Sequence, residues 1–218
     1  MDKRQVTSKD IYEQVMPDGR IYGEIGPRDI KRFEDTAKHI HPDAESPLDV
    51  GCFGGHWLNF MCKHHTIKRH LGIDVAENRV DKAKQLFPER NFRVCSAEEL
   101  DLPEKSFDIV TCLEVLEHIP DWLKVFHSLF RFAAKQVLIT VPYREEIRYT
   151  VCVNCAKVTP IYGHLRSYCE DSFPQVPGWS LDFTKIADRN PDRPLFRKIY
   201  RFLRPRYSWI LADYRPVP

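Results

Sequence analysis

The sequence predicts an α/β fold, in which a doubly wound and mostly parallel sheet carries helices on both faces. Short apolar runs alternate with helix-length segments between residues 47 and 142, a rhythm that is typical of parallel βαβ units. Acidic residues or glycines follow several of these runs. They would therefore lie at the carboxyl ends of parallel strands, where open α/β sheets bind their ligands.

The individual elements follow from the spacing of apolar residues. Residues 30–40 have apolar side chains at helical spacing and are followed by His41-Pro42-Asp43. A helix is therefore predicted to end there, and residues 1–44 form a helical cap on a domain of residues 45–218. Within that domain we predict strands at 47–50, 70–75, 91–95, 106–113 and 136–142, with helices at 57–63, 76–86 and 122–134.

Length and charge restrict the class of protein. A chain of 218 residues can build one hydrophobic core with appended segments. Its 33 basic and 31 acidic residues give a formal net charge of +2, which argues against a chain-wide basic surface for nucleic acid. The sequence begins without an apolar signal segment, and no run approaches the ~20 apolar residues of a membrane span. We therefore expect a soluble, cytoplasmic protein.

A glycine turn follows the first predicted strand, where residues 49–55 read Asp-Val-Gly-Cys-Phe-Gly-Gly. Glycine permits a positive φ and a close approach of the backbone to a ligand. Asp74 ends the second predicted strand, 23 positions after Gly51. An acid about 20 residues beyond such a turn accepts hydrogen bonds from ribose hydroxyls in doubly wound sheets. Asp74 is also placed to cap the next helix, and the two roles are compatible.

Residues 48–142 resemble the class I S-adenosylmethionine-dependent methyltransferases. Four motifs stand in the family's order: the turn at 49–55, the acid Asp74, the loop at 96–98 and the segment 107–121. The resemblance implies a Rossmann-like, seven-stranded sheet, whose last two strands would be residues 179–183 and 207–212. It also implies S-adenosylmethionine as cofactor, bound by Asp49, Gly51, Cys52, Phe53, Gly55, Asp74, Val75, Ala97, Glu98 and Glu114.

Two residues depart from the family's pattern. Phe53 stands where the turn usually has glycine, so the turn is expected to shift by one residue onto Gly54. Ser96 stands where a carboxylate often reaches the adenine amino group. Glu98 or backbone groups would then make that contact.

The resemblance implies direct displacement, in which an acceptor oxygen, nitrogen or carbon attacks the sulfonium methyl group in line. The protein would contribute mainly alignment, with a general base only where the acceptor must lose a proton. His118, just past the fourth predicted strand, is the candidate base. Its alternative role is helix capping or packing beside Glu117.

The segment 143–178 is too long for an ordinary connection and is predicted to fold as a lid over the acceptor. Four of the seven cysteines lie outside it in or beside apolar runs, as expected for reduced core thiols. Inside it, Cys152 and Cys155 have the spacing of half a zinc knuckle, which His164 and Cys169 would complete as a tetrahedral set. Reduced thiols that pack the lid are the alternative.

His164 also enters a competing prediction. Glu114, Glu117 and His118 lie at i, i+3 and i+4, and would share one face of a helix. A similar Glu-x-x-Glu-His set binds a divalent metal in some quinone-precursor O-methyltransferases and in small-RNA 3′-terminal 2′-O-methyltransferases, which add a later histidine. In that case His118 and His164 are both catalytic, and the metal lowers the pKa of an acceptor hydroxyl.

The acceptor is predicted to be a small or glycan-like molecule. Residues 189–206 alternate basic and apolar side chains, as in a helix that covers the sheet or rests on an anionic surface. Two alternatives remain: an RNA or tRNA methyltransferase with a zinc-knuckle insertion, and a non-catalytic binding protein of the same fold.

Overall fold

A computed structural model of the protein describes residues 25–151, 156–187 and 207–217. Its helices are α1 (Pro27–Ala37), α2 (His56–His64), α3 (Glu77–Leu86) and α4 (Trp122–Phe132). Its strands are β1 (Pro47–Val50), β2 (Leu71–Asp74), β3 (Phe92–Val94), β4 (Phe107–Leu113), β5 (Ala133–Pro142), β6 (Tyr149–Val151), β7 (Val158–Pro160), β8 (Trp179–Ala187) and β9 (Tyr207–Pro216). Short 3₁₀ helices span Leu116–His118 and Glu170–Ser172.

Seven strands form one sheet in the order β3-β2-β1-β4-β5-β9-β8. The strands β1 to β5 are parallel, and β9 runs antiparallel between β5 and β8. Apolar residues of β5 alternate between two cores: Leu138 joins Trp57 on one face, whereas Ile139 joins Phe126 on the other. The predicted doubly wound, Rossmann-like, seven-stranded sheet with helices on both faces is therefore confirmed.

Several element boundaries differ from the predicted ones. The helix α4 ends at Phe132, and β5 begins at once with Ala133, although helix was predicted through residue 134. Ala133 pairs with Phe107 of β4, so strand pairing overrides the helix propensity of alanine. The last two strands are longer than predicted, because β8 and β9 pair along nearly their whole length.

The insertion between β5 and β8 is anchored over α4. Tyr168 is 1% exposed, and its ring centroid lies 5.4 Å from that of Trp122. Strands β6 and β7 pair antiparallel in a separate two-stranded sheet within the insertion. The residues before 25 and the basic stripe at 189–206 lie outside the described residues. None of the described helices is long and apolar enough to cross a bilayer.

Candidate functional site

A cavity of about 740 Å³ opens at the carboxyl ends of β1, β2 and β4, within the size range of small-molecule sites. Gly55 lies outside its wall, where a Cβ atom would meet the Phe92 ring at 2.5 Å. The other predicted cofactor residues all line the cavity: Asp49, Gly51, Cys52, Phe53, Asp74, Val75, Ala97, Glu98 and Glu114. Ser96 and His118 line it as well.

The turn after β1 takes its shape from three residues with positive φ, namely Gly51 at 74°, Phe53 at 50° and Gly55 at 77°. The expected shift onto Gly54 does not occur, because Phe53 itself adopts the left-handed conformation. A Cβ atom on Gly51 would lie 2.4 Å from Val115 Cγ2. Glycine at position 51 therefore lets the turn pack closely against the segment that follows β4.

Asp74, at the end of β2, is 4% exposed and faces the cavity. Its Oδ1 accepts a hydrogen bond from Ala76 N at 3.0 Å, and its Oδ2 accepts one from Phe53 N at 3.1 Å. Burial raises its pKa, whereas the Arg79 guanidinium and the backbone donors act in the opposite direction. Each carboxylate oxygen has further acceptor capacity, so Asp74 can hold the turn and still accept bonds from ribose hydroxyls.

Asp49 is the second buried carboxylate of the wall, at 3% exposure. Thr111 Oγ1 donates to its Oδ1 at 2.8 Å. Burial raises the pKa of Asp49 to about 7; the Thr111 bond opposes this rise and the charge of Asp74 adds to it. A cationic group in the cavity would favour the ionised carboxylate.

Arg32 is a site residue that the sequence reasoning missed. It lies on α1, lines the cavity and stacks over Trp209, with its Cζ 5.5 Å from the ring centroid. Its Nε and Nη1 are buried and have no hydrogen-bond partner among the described residues. Its Nη2 donates to Asp29 Oδ1 at 3.4 Å, and its Nη1 forms an ion pair with Glu114 Oε1 at 3.6 Å, so the guanidinium charge is partly balanced. Such a guanidinium fits an anionic group, for example the carboxylate of an amino-acid cofactor.

The expected helical face of Glu114, Glu117 and His118 is not present. Glu114 has a φ of 58°, and only residues 116–118 form a single 3₁₀ turn. Glu114 instead accepts hydrogen bonds from Trp209 Nε1 at 2.7 Å and Thr140 Oγ1 at 3.0 Å. The i, i+3, i+4 prediction is wrong because the backbone turns sharply where β4 ends.

Glu117 and His118 nevertheless meet His164 of the insertion. The potential ligating atoms of the three residues all lie within 4.8 Å of one another. Glu117 is 1% exposed, and neither carboxylate oxygen has a hydrogen-bond partner in the described parts of the chain. Burial raises its pKa well above the usual range, and the nearby Glu114 carboxylate adds to this shift.

This donor set fits a divalent cation. A buried carboxylate without a partner is costly, and a bound cation would supply that partner. Oxygen and imidazole ligands suit magnesium, manganese or zinc. Burial lowers the pKa of His118 to about 4, and His164 adds to this shift, so the ring is neutral at physiological pH, the form in which an imidazole binds a metal.

The predicted zinc knuckle is not assembled within the described residues. Cys152 and Cys155 lie outside them. Cys169 Sγ lies 3.5 Å from Ser172 Oγ at the start of a 3₁₀ helix, and the cluster that contains His164 does not include it. His164 is bonded instead to Glu145.

Known proteins that resemble this chain in sequence are methyltransferases. The family model described as a methyltransferase domain matches residues 48–140. The ubiquinone biosynthesis O-methyltransferase of Coxiella burnetii is 38% identical over 94 residues, which cover 41% of this chain and 39% of the relative. The matched part of the chain thus spans about two fifths of the length of this relative.

Solved structures share the fold at low sequence identity. Phosphoethanolamine N-methyltransferase 2 of Haemonchus contortus, in complex with S-adenosyl-L-methionine, has a TM-score of 0.71 and 16% identity. The match covers 100% of this chain and 62% of that one. A putative S-adenosylmethionine-dependent methyltransferase of Listeria monocytogenes has a TM-score of 0.64 and 14% identity over 87% of this chain and 100% of its own.

Proposed function

We propose that this chain, whose residues 48–140 match a methyltransferase domain, is a class I S-adenosylmethionine-dependent methyltransferase that methylates a hydroxyl oxygen of a small molecule. Asp74 would bind the ribose of the cofactor and Arg32 its carboxylate. Glu117, His118 and His164 would hold a divalent metal beside the acceptor, while the cap at 1–44 and the insertion at 143–178 shape the acceptor pocket.

One observation carries the proposal: the buried Glu117 carboxylate, which has no hydrogen-bond partner among the described residues, lies beside two histidines, and one of these, His118, lines the cofactor cavity. An ordinary packing cluster has no reason to bury an acid in this way. The relative from Coxiella burnetii is named for ubiquinone biosynthesis and O-methylation, which supports a hydroxyl oxygen of a small molecule as the acceptor.

The proposed methyl transfer is a single displacement at the methyl carbon. The acceptor oxygen forms a bond to the methyl carbon while the carbon–sulfur bond breaks, and the electron pair remains on sulfur as the neutral thioether. A divalent ion held by Glu117, His118 and His164 would lower the pKa of the acceptor hydroxyl, so that its proton is lost to solvent. The protein's own contribution is to hold oxygen, methyl carbon and sulfur in line.

The pKa of His118 favours a ligand role over a general-base role. A general base is most effective when its pKa lies near the working pH, whereas burial lowers the pKa of His118 to about 4. A base this weak accepts a hydroxyl proton poorly. The same lone pair can bind a metal throughout the neutral range.

Cofactor binding is the first experiment. Calorimetric titration of the full chain with S-adenosylmethionine and S-adenosylhomocysteine is expected to show micromolar binding. Asp74→Ala should weaken it by ~10–100-fold, equivalent to ~1–3 kcal/mol for lost hydrogen bonds to a buried carboxylate. Asp81→Ala, an exposed acid on α3, is the matched control. No binding by the wild-type protein would refute the proposal and favour a non-catalytic binding protein.

Methyl transfer itself is tested with methyl-labelled cofactor and a panel of catechols, simple phenols and amines. We expect label in the catechols, dependent on added Mg²⁺ or Mn²⁺ and lost in Glu117→Gln. Transfer to RNA instead would favour the alternative of an RNA methyltransferase. Label in amines alone, without metal dependence, would contradict O-methylation.

A further inference from the structure

Two histidines from distant parts of the sequence meet at the site. Their ring centroids are 4.7 Å apart, with an interplanar angle of 73°. His118 follows β4 closely, whereas His164 belongs to the insertion. An imidazole offers one of two nitrogens to a ligand, so the tautomer and the orientation of each ring decide whether the cluster can bind a metal.

A hydrogen-bond acceptor engages Nδ1 of each ring. His118 Nδ1 donates to the Gly163 carbonyl oxygen at 3.3 Å, and His164 Nδ1 donates to Glu145 Oε2. Because His164 Nδ1 donates to this carboxylate, Nε2 is the ring nitrogen through which His164 can bind a metal. His118 Nε2 lies 4.0 Å from Glu117 Oε1. Both acceptors belong to the insertion.

We propose that Glu145 is a positioning residue, which holds His164 in the Nδ1-protonated tautomer and presents its Nε2 to Glu117 and His118. A carboxylate that accepts from the outer nitrogen of a ligating histidine fixes the ring and makes the inner nitrogen more basic. The inference rests on the proposed function, because the ligand role of His164 belongs to that function.

The fold holds Glu145 against His164. Tyr143 forms an isolated parallel bridge with Tyr168, and Arg144 N donates to Tyr168 O at 2.8 Å. These bonds fix the backbone just before Glu145. The side chains of Glu145 and His164 are 24% and 16% exposed, so the pair is largely shielded from water. The next residue, Glu146, is exposed and therefore offers a matched control.

The experiment reads the tautomer directly. Long-range ¹H–¹⁵N spectra of the full chain, labelled at histidine, should show a protonated Nδ1 and an unprotonated Nε2 for His164. In Glu145→Ala we expect a mixture of tautomers, together with a 10–100-fold weaker affinity for Mn²⁺ measured by calorimetry. Glu145→Gln retains an acceptor oxygen and should keep the tautomer with a smaller loss of affinity.

The outcomes separate this inference from the function on which it rests. Glu146→Ala should match the wild type in both measurements. A Glu145→Ala protein with the wild-type tautomer and the wild-type Mn²⁺ affinity would overturn the inference, as would a Glu145→Gln protein with mixed tautomers. If the wild type fails to bind Mn²⁺ but Glu145→Ala still loses the tautomer, the metal function fails and the positioning role stands.

Discussion

Phe53 holds a backbone conformation that side chains disfavour. Its φ is 50°, and the left-handed region costs a residue with a Cβ atom ~1–2 kcal/mol. The ring lies under the Arg79 guanidinium, with the Arg79 Cζ 4.8 Å from the ring centroid. Such a contact is worth ~0.5–1 kcal/mol at an exposed site and more when desolvated, so it offsets part of the strain.

Two substitutions at position 53 isolate the backbone strain. Both Phe53→Gly and Phe53→Ala remove the ring, but only glycine relieves the left-handed strain. We expect Phe53→Gly to be the more stable of the two by ~1 kcal/mol in urea unfolding. Ordinary positions show the opposite order, so a more stable alanine variant would contradict the conformation.

The buried carboxylate of Asp49 gives stability a predictable pH dependence. Its pKa is raised from 3.8 to about 7 by burial, so between these values the folded state holds a proton that the unfolded state has lost. The free energy of unfolding therefore falls as pH rises through this window, by roughly 4 kcal/mol at most. It levels off above pH ~7.

Asp49→Asn tests this linkage, because the amide oxygen can still accept the bond from Thr111. The cofactor-free variant should lack the Asp49 contribution, and the difference between the wild type and the variant should grow from pH ~4 to pH ~7. Parallel stability curves for the two proteins across this range would rule out the raised pKa.

At the scale of elements, Arg166 joins the insertion to the turn that carries Glu117 and His118. Its guanidinium donates to three carbonyl oxygens: those of Leu116 at 2.9 Å, Pro120 at 2.8 Å and Ile119. In addition, Leu165 N donates to Glu117 O at 2.8 Å. The five donors of arginine suit such a cluster, and lysine could not reproduce it.

Loss of the Arg166 bonds should loosen the turn without unfolding the sheet. In Arg166→Met we expect faster amide hydrogen exchange in residues 116–119 and 163–168, corresponding to ~1–3 kcal/mol of local opening free energy. Exchange in β1 and β4 should be unchanged. Arg148→Met, an exposed arginine of the same insertion, is the control; equal effects of the two substitutions would refute the assigned role.

Elements were predicted best where apolar periodicity was strong. The strands β1 to β5 and the helices α2 to α4 occur where expected. The predicted helical face at residues 114–118 is wrong for a physical reason. Residues at i, i+3 and i+4 share a face only if the backbone is helical, and the positive φ of Glu114 shows that it is not. No local sequence pattern predicted the positive φ of Glu114, because glutamate seldom adopts that conformation.

At the scale of the whole molecule, a metal at Glu117 should link ligand binding to folding. A ligand that binds only the folded state adds ~2.7 kcal/mol at 100 times its Kd. We therefore expect Mn²⁺ to raise the Tm of the wild type but not that of Glu117→Gln, as followed by thermal melts. Glu77→Gln, an exposed acid on α3, should respond like the wild type. A wild-type Tm that does not change on addition of Mn²⁺ would argue against the metal site.

The sequence by itself determined the class of sheet, the turn after β1 and the acid after β2, because these features depend on local periodicity and on residues close together in the chain. Only the tertiary structure decided which distant groups meet. Arg32 reaches the cavity from α1, and His164 reaches Glu117 from the insertion. Such contacts depend on how packed elements orient side chains across the sheet, and that orientation leaves no periodic trace in the sequence.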